Sequence, residues 1–350
     1  MLCDKSVSLI VQSFSQRINM ALTAKQKQWL DNHPELRPRY SMKRRCEFHD
    51  YTSRSIYMIT IAVEGRHPIL GTLCGPDGNH HMPRVEASPV GEIVKEIWNN
   101  IPKYYQQIKP IRLQLMPDHM HGILFVTQPM NKHLGHVIKG FKAGCNKAFR
   151  ELSATMSPIT TTSQPTHLWE EGYHDRILTG DNQLKKMIDY LIDNPRRLWI
   201  KQNNPDYFKT YHNITIADQQ VSAMGNIFLL HAPNKVAVKV SRDITDEQLD
   251  IKTNQLIKMA QQGTILVSPC ISKGEKHIFR IAYEMGYSTI VIQENGFSKF
   301  AKPTGKRFNA CAQGKLLIIA TGQHHNQTIP HTREISNKLN HLAAIIATTI

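Results

Sequence analysis

Apolar positions recur with two rhythms along this chain, and the change between them falls near residue 213. Residues 55–64 (SIYMITIAVE) are rich in β-branched side chains and predict a strand. Residues 71–83 hold Gly, Asn and His in a pattern that predicts a turn or hairpin. Residues 93–105 place Ile93, Ile97, Ile101 and Tyr104 at helical spacing, and a strand interrupted by Pro117 is expected over 112–126. A helix over 134–152 sets Leu134, Ile138, Phe141, Cys145 and Phe149 in one stripe. A Ser/Thr/Pro-rich loop is expected over 153–166, then a second helix from Gln183 that stops at Pro195. Residues 1–38 form a weakly patterned lead-in with one short helix around 25–32. After residue 213, short apolar strands are expected at 226–230, 236–240, 264–268, 289–293 and 315–320. Helical stretches at 245–262 and 276–286 lie between them, the alternation of βαβ units around a parallel sheet. The resulting division is a lead-in (1–40), a first domain (41–212) and a second domain (222–345), with no internal repeat.

Length agrees with two domains, since 350 residues exceed one average unit. No apolar run approaches the roughly 20 residues needed to cross a bilayer, so no membrane contact is expected. The run from Val7 to Phe14 is short and broken by serines, unlike a secretory signal, and Met20 is an alternative start. Six cysteines lie scattered without metal-ligand spacing, as free thiols of a reducing cytoplasm do. A net charge of +15 favours a polyanionic partner. Residues 1–210 hold 28 Lys and Arg against 19 Asp and Glu, and the remainder 15 against 9, so the excess is no tail effect.

Candidate chemistry centres on residues 116–124 (MPDHMHGIL). In a strand, His119 and His121 project to one face and Met120 to the other. Two parallel imidazoles begin a divalent-metal site, although among 18 histidines such a pair also arises by chance. Residues 189–195 (DYLIDNP) set Tyr190 and Asn194 one helical turn apart. A tyrosine hydroxyl is a poor nucleophile until a cation or base activates it. An asparagine carbonyl is a hard oxygen donor suited to Mg²⁺ or Mn²⁺. Neutral ligands would leave such an ion its full charge for a phosphodiester.

Five stretches in order carry a resemblance: YMITI with Gly65-Arg66, MPDHMHGIL, LGHVIKGFK (134–142), LWEEGYHDRIL (168–178) and YLIDNP (190–195). Over about residues 45–205 the chain resembles the IS200-like tyrosine transposases, in particular the REP-associated tyrosine transposase branch of the HUH enzymes. The resemblance implies an α+β fold with a ferredoxin-like HUH core on an antiparallel sheet. It implies Tyr190 as catalytic nucleophile, His119 and His121 as metal ligands, and Asn194 as the third ligand, a position where some relatives carry Gln. The implied reaction cuts and rejoins single-stranded DNA through a 5′-phosphotyrosine, with Mg²⁺ or Mn²⁺ as cofactor. Hairpin-bearing element ends are the implied partner, acting on one chain or a homodimer in a bacterial, nucleoid-associated setting. The alternative is a protein of the same fold that binds DNA hairpins without cutting them.

Lys132, Lys139, Lys142, Lys147 and Arg150 cluster on or beside the 134–152 helix, where residues 131–150 hold no acid. They are candidate DNA-backbone contacts or a solvated basic face. Arg176 is a further candidate, or the partner of an acid such as Asp175. Trp169 reads as core more readily than as a base-stacking platform. Asp118 reads as turn chemistry or support for a ligand. Lys43, Arg44 and Arg45 read as a DNA-contacting arm or a soluble tail. In the second domain, residues 263–296 suggest an α/β Rossmann-like strand–loop–helix–strand and faintly resemble the DprA/Smf DNA-processing proteins. Ser268, Ser272, Lys273 and Gly274 would then mark a helix N-terminus open to anions, although the family's glycine-rich signature is missing. A scaffold or dimerisation role is the alternative.

Overall fold

A computed structural model describes residues 45–46, 49–156, 167–180, 182–216, 218–298, 301–325 and 332–348. The expected helix at 25–32, Lys43, Arg44 and most of the loop at 153–166 lie outside the described residues. The chain divides into two compact units, Met1–Trp199 and Ile200–Ile350.

The first unit is α+β. Its elements run β1 (Ser55–Ala62), the hairpin β2 (Gly71–Cys74) and β3 (Arg84–Ala87), α1 (Pro89–Asn99), α2 (Ile101–Tyr104), β4 (Ile108–Met116), β5 (His119–Val126), α3 (Leu134–Met156), β6 (His174–Leu178) and α4 (Gln183–Asn203). Four strands form one antiparallel sheet in the order β4-β5-β1-β6. One face carries Tyr57, Ile59, Ile61, Met120 and Leu124 and is covered by α1 and α3, with Trp98, Phe141 and Trp169 in the core between them. Burial of this kind contributes about 25 cal/mol per Å² of apolar surface. The other face carries Ile56, Ile123, Phe125 and Leu178, against which Leu184 and Leu191 of α4 pack.

Several expectations need correction here. The strand expected over 112–126 is two strands, because Met116 pairs with His119 across a turn at Pro117-Asp118. The helix stripe expected at 93–104 is met only at Ile101, which is buried: Val94 and Trp98 are buried in place of Ile93 and Ile97, and Tyr104 is exposed. Pro102 begins a separate short helix after Asn100, so one helical phase does not run through. The second helix does not stop at Pro195 but continues to Asn203, with Pro195 buried inside it. Proline removes one backbone donor and clashes with the preceding turn; here packing outweighs that cost. Beyond it Trp199 lies so close to Gly75 that a Cβ there would sit 2.4 Å from the indole.

The second unit holds a six-stranded sheet in the order β7-β8-β12-β11-β10-β9. Its strands are β7 (Thr210–Ile216), β8 (Gln219–Gly225), β9 (Lys235–Ala237), β10 (Ile265–Ser268), β11 (Thr289–Gln293) and β12 (Leu316–Ala320). β9 to β12 are parallel, joined through α5 (Asp246–Gln261), α6 (Lys273–Glu284) and α7 (Lys306–Ala312). The parallel part is the expected βαβ alternation, and β10, β11 and β12 are buried on both faces. Leu266 and Ile318 face α5, α6 and α7, while Val267 and Ile319 face α8 (Arg333–Thr348). The strand expected at 226–230 is instead a short 3-10 turn, Ile227–His231, started by Asn226, whose side chain accepts from the Phe228 N–H. The β7–β8 hairpin falls where only a domain boundary was expected.

Candidate active site

The turn at Pro117-Asp118 starts β5 with His119, so both histidines of the motif stand at the rigid beginning of a central strand. Their side chains rise from the α4 face of the sheet. His119 Nε2 and His121 Nε2 lie 3.2 Å apart, with the rings nearly perpendicular at 83°. The opposite nitrogen of each ring has its own partner. His119 Nδ1 lies 2.6 Å from an Asp118 carboxylate oxygen, and His121 Nδ1 lies 2.7 Å from Thr60 Oγ1. If both Nδ1 atoms carry the hydrogen, both Nε2 lone pairs converge on one point, an arrangement that favours a cation between them.

Asp118 is held below the usual carboxylate range, first by its hydrogen bond with His119 and further by the charge of Arg66. It therefore stays ionised near neutral pH and orients the His119 ring. Arg66 reaches it at 3.5 Å from a left-handed backbone conformation that follows Gly65. Asp118 thus serves both the turn and the His119 ring.

Strand pairing places Gln114, His121, Thr60 and His174 side by side across the sheet on this face. The adjacent row is Arg112, Ile123, Met58 and Arg176, with an exposed arginine at each sheet edge. From α4, the Tyr190 ring stands 6.2 Å from the His121 ring. Asn194 follows one turn on and is buried, and its side-chain nitrogen has no hydrogen-bond partner among the described residues. Exchanging the amide's O and N would put a carbonyl oxygen at that position. Among the described residues no cluster of three or more His, Cys, Asp or Glu has metal-binding placement. Any ion here would complete its shell with neutral oxygen, water or substrate.

Two residues of this site escaped sequence reasoning. Thr60 is brought to His121 by strand register, a long-range property with no local signature. Arg197 lies seven positions after Tyr190, two turns along the same helix, within electrostatic range of Tyr190 and Asp193. Burial lowers its pKa while those two neighbours act to raise it. Helical periodicity would have found it, but only for a helix that runs through Pro195.

The proposed DNA-contacting residues divide between the two faces. Lys139, Lys147 and Arg150 are exposed on α3, which covers the sheet face opposite the histidines, and Lys132 is exposed just before it. Lys142 donates to the Glu170 and Gly172 carbonyls and has its pKa lowered by burial. Only Arg176 of the six lies on the histidine face. Asp175 points to the other face, where it pairs with Arg45 and accepts from the Tyr51 hydroxyl at 2.7 Å. Arg45 also stacks over the Tyr173 ring, so this member of the basic cluster is pinned to the core. Trp169 is buried in that same core.

The helix N-terminus after β10 is closed to outside anions. The Glu275 carboxylate, buried, accepts from the backbone N–H groups of Val240, Ile271 and Ser272 at 3.1, 2.7 and 3.3 Å. It thus supplies an internal carboxylate to the amides that immediately precede the helix. Ser272 caps the helix and Ser268 is fully buried.

No family model matches the chain. An uncharacterised protein of Haemophilus influenzae is 22% identical over 171 residues, spanning 43% of this chain and 86% of its own. A structure of a REP-associated tyrosine transposase bound to a REP hairpin is similar at 11% identity, covering 42% of this chain and 70% of that one, with a TM-score of 0.30. A structure of DNA processing protein A from Helicobacter pylori, described for its single-stranded DNA binding, is similar at 16% identity, covering 40% and 67%, also with a TM-score of 0.30.

Proposed function

We propose that the chain cuts and rejoins single-stranded DNA, with Tyr190 as nucleophile and a divalent metal ion held by His119 and His121. The observation that carries this reading is the convergence of the two Nε2 atoms, 3.2 Å apart, beside the Tyr190 ring. The order of strands and helices in the first unit matches a βαββαβ ferredoxin-like core, the frame implied by the HUH resemblance. The second unit is read as an α/β accessory domain.

The donor set fits a hard divalent cation such as Mg²⁺ or Mn²⁺: two neutral imidazoles, each oriented from behind, and the Asn194 amide one turn from Tyr190. Bound there, the ion would polarise a phosphodiester and stabilise the charge that develops on its oxygens. The Tyr190 hydroxyl gives up its proton as its oxygen attacks phosphorus, the P–O3′ bond breaks, and the departing 3′ oxygen takes up a proton. The product is a 5′-phosphotyrosine and a free 3′-hydroxyl, whose later attack reverses the step on the same or another strand. Arg197 places a guanidinium near the tyrosine as negative charge grows on it. Arg112 and Arg176 flank the same face and are placed to hold the backbone of the strand.

A covalent-adduct assay tests this directly. Labelled single-stranded DNA carrying candidate hairpin ends is incubated with the chain and Mg²⁺ or Mn²⁺, then resolved under denaturing conditions. A labelled protein band that disappears with chelator and with Tyr190→Phe is expected. DNA that is shifted in native gels but never attached covalently would leave a hairpin-binding protein instead.

A further inference from the structure

The second unit contains a cavity of about 250 Å³ where the chain leaves β11 and β12. Ligands of open parallel sheets collect at the carboxyl ends of strands. The volume suits one small molecule, lying just below the usual range of ligand pockets, which begins at about 300 Å³. Lys302 and Arg307 bring two cations to the wall, Ser298 and Thr304 bring hydroxyls, and no acidic residue is among the described residues lining it. Phe297, Met224 and Ile318 add an apolar surface. A cationic side beside an aromatic one suits a ligand with an anionic group and a flat body.

The rim is built rather than incidental. Thr321 and Gly322 donate their N–H groups to the Gln293 and Glu294 carbonyls at 3.0 and 2.8 Å. The Asn295 side chain donates to the His325 carbonyl at 2.9 Å and accepts from the His325 N–H at 3.0 Å. Gly296 fits so tightly that an added Cβ would stand 2.6 Å from both the Gly322 oxygen and the His324 nitrogen. Residues 293–296 and 321–325, which follow neighbouring strands, are thus tied together before any ligand arrives, which reduces the cost of binding. Meanwhile the helix start after β10, where an anion would ordinarily be sought, is filled by Glu275.

We propose that this cavity binds a nucleoside monophosphate, with the phosphate on Lys302 and Arg307 and the base against Phe297. The site lies in the other unit from the histidines and stands independently of the DNA-cutting reading. Calorimetric titration of the full chain with a set of nucleoside 5′-monophosphates tests it, with the matching nucleosides, inorganic phosphate and a short single-stranded oligonucleotide in parallel. Saturable binding of at least one monophosphate is expected, with its nucleoside and inorganic phosphate each about tenfold or more weaker. Each of Arg307→Gln and Lys302→Gln should weaken it about tenfold, the scale of one charge-assisted hydrogen bond. Lys302 is exposed, so its variant keeps the test open if Arg307→Gln fails to fold. No saturable monophosphate binding, unchanged affinity in the folded variants, inorganic phosphate binding as tightly as the nucleotide, or binding by the oligonucleotide alone would each overturn the proposal.

Discussion

Thr60→Val is the sharpest probe of the histidine pair, because it removes one oxygen and leaves the backbone alone. Thr60 sits directly opposite His121 in the β1–β5 register, and its Oγ1 lies 2.7 Å from His121 Nδ1. His121 is only 8% exposed, so water cannot readily replace the lost partner. An unsatisfied buried donor costs about 1–3 kcal/mol. If His121 donates from Nδ1, that bond fixes the tautomer whose Nε2 lone pair faces His119, and its loss frees the ring to place the hydrogen on Nε2. The same energy applied to ligand competence corresponds to roughly 5- to 150-fold in affinity. Removing supports of this kind from metal-bound histidines typically costs about 10- to 100-fold. Mn²⁺ titration by calorimetry, at fixed pH on the folded variant, reads the effect, and thermal melting tracks stability separately. Unchanged or tighter Mn²⁺ binding would refute the reasoning. It would mean that Thr60 donates its hydroxyl hydrogen to Nδ1 and that Nε2 is not a free ligand in the parent.

Three further outcomes follow from packing and burial. Gly122→Ala should destabilise the first unit by about 1–3 kcal/mol, since the new methyl would stand 2.2 Å from the Trp98 indole in a filled core; a chemical-denaturation midpoint checks this. Burial pushes the thiols of Cys145, Cys270 and Cys311 from 9.0 up to about 12. An alkylating reagent near pH 8 should therefore spare them in the folded chain while modifying exposed Cys46, as peptide mass mapping would reveal. Because these pKa values are higher folded than unfolded, their contribution to stability is complete below about pH 9 and is lost as pH rises towards about 12. A melting temperature that holds steady across that interval would contradict the assignment.

Local pattern alone determined much of this protein. The His-x-His alternation on a strand, the stripe of Leu134, Ile138, Phe141 and Cys145, and the βαβ rhythm of the second half all follow from side-chain periodicity, which the backbone imposes within a few residues. The Tyr190–Asn194 spacing belongs to the same class, because one helical turn is a local distance. Tertiary structure decided the rest. Pro195 is a helix breaker by local rule, yet α4 runs through it because the packing of its buried residues outweighs one missing hydrogen bond, and that continuation puts Arg197 within electrostatic range of Tyr190. Thr60 reaches His121 only through a strand register set 61 residues apart. The basic row of α3 offers candidate DNA contacts by sequence, but the sheet has two faces and helix packing put it on the one opposite the histidines. Likewise, the helix start after β10 invites an anion by sequence, and the fold supplies its own in Glu275. Periodicity tells which side of an element is buried; only the assembled sheet tells what each side meets.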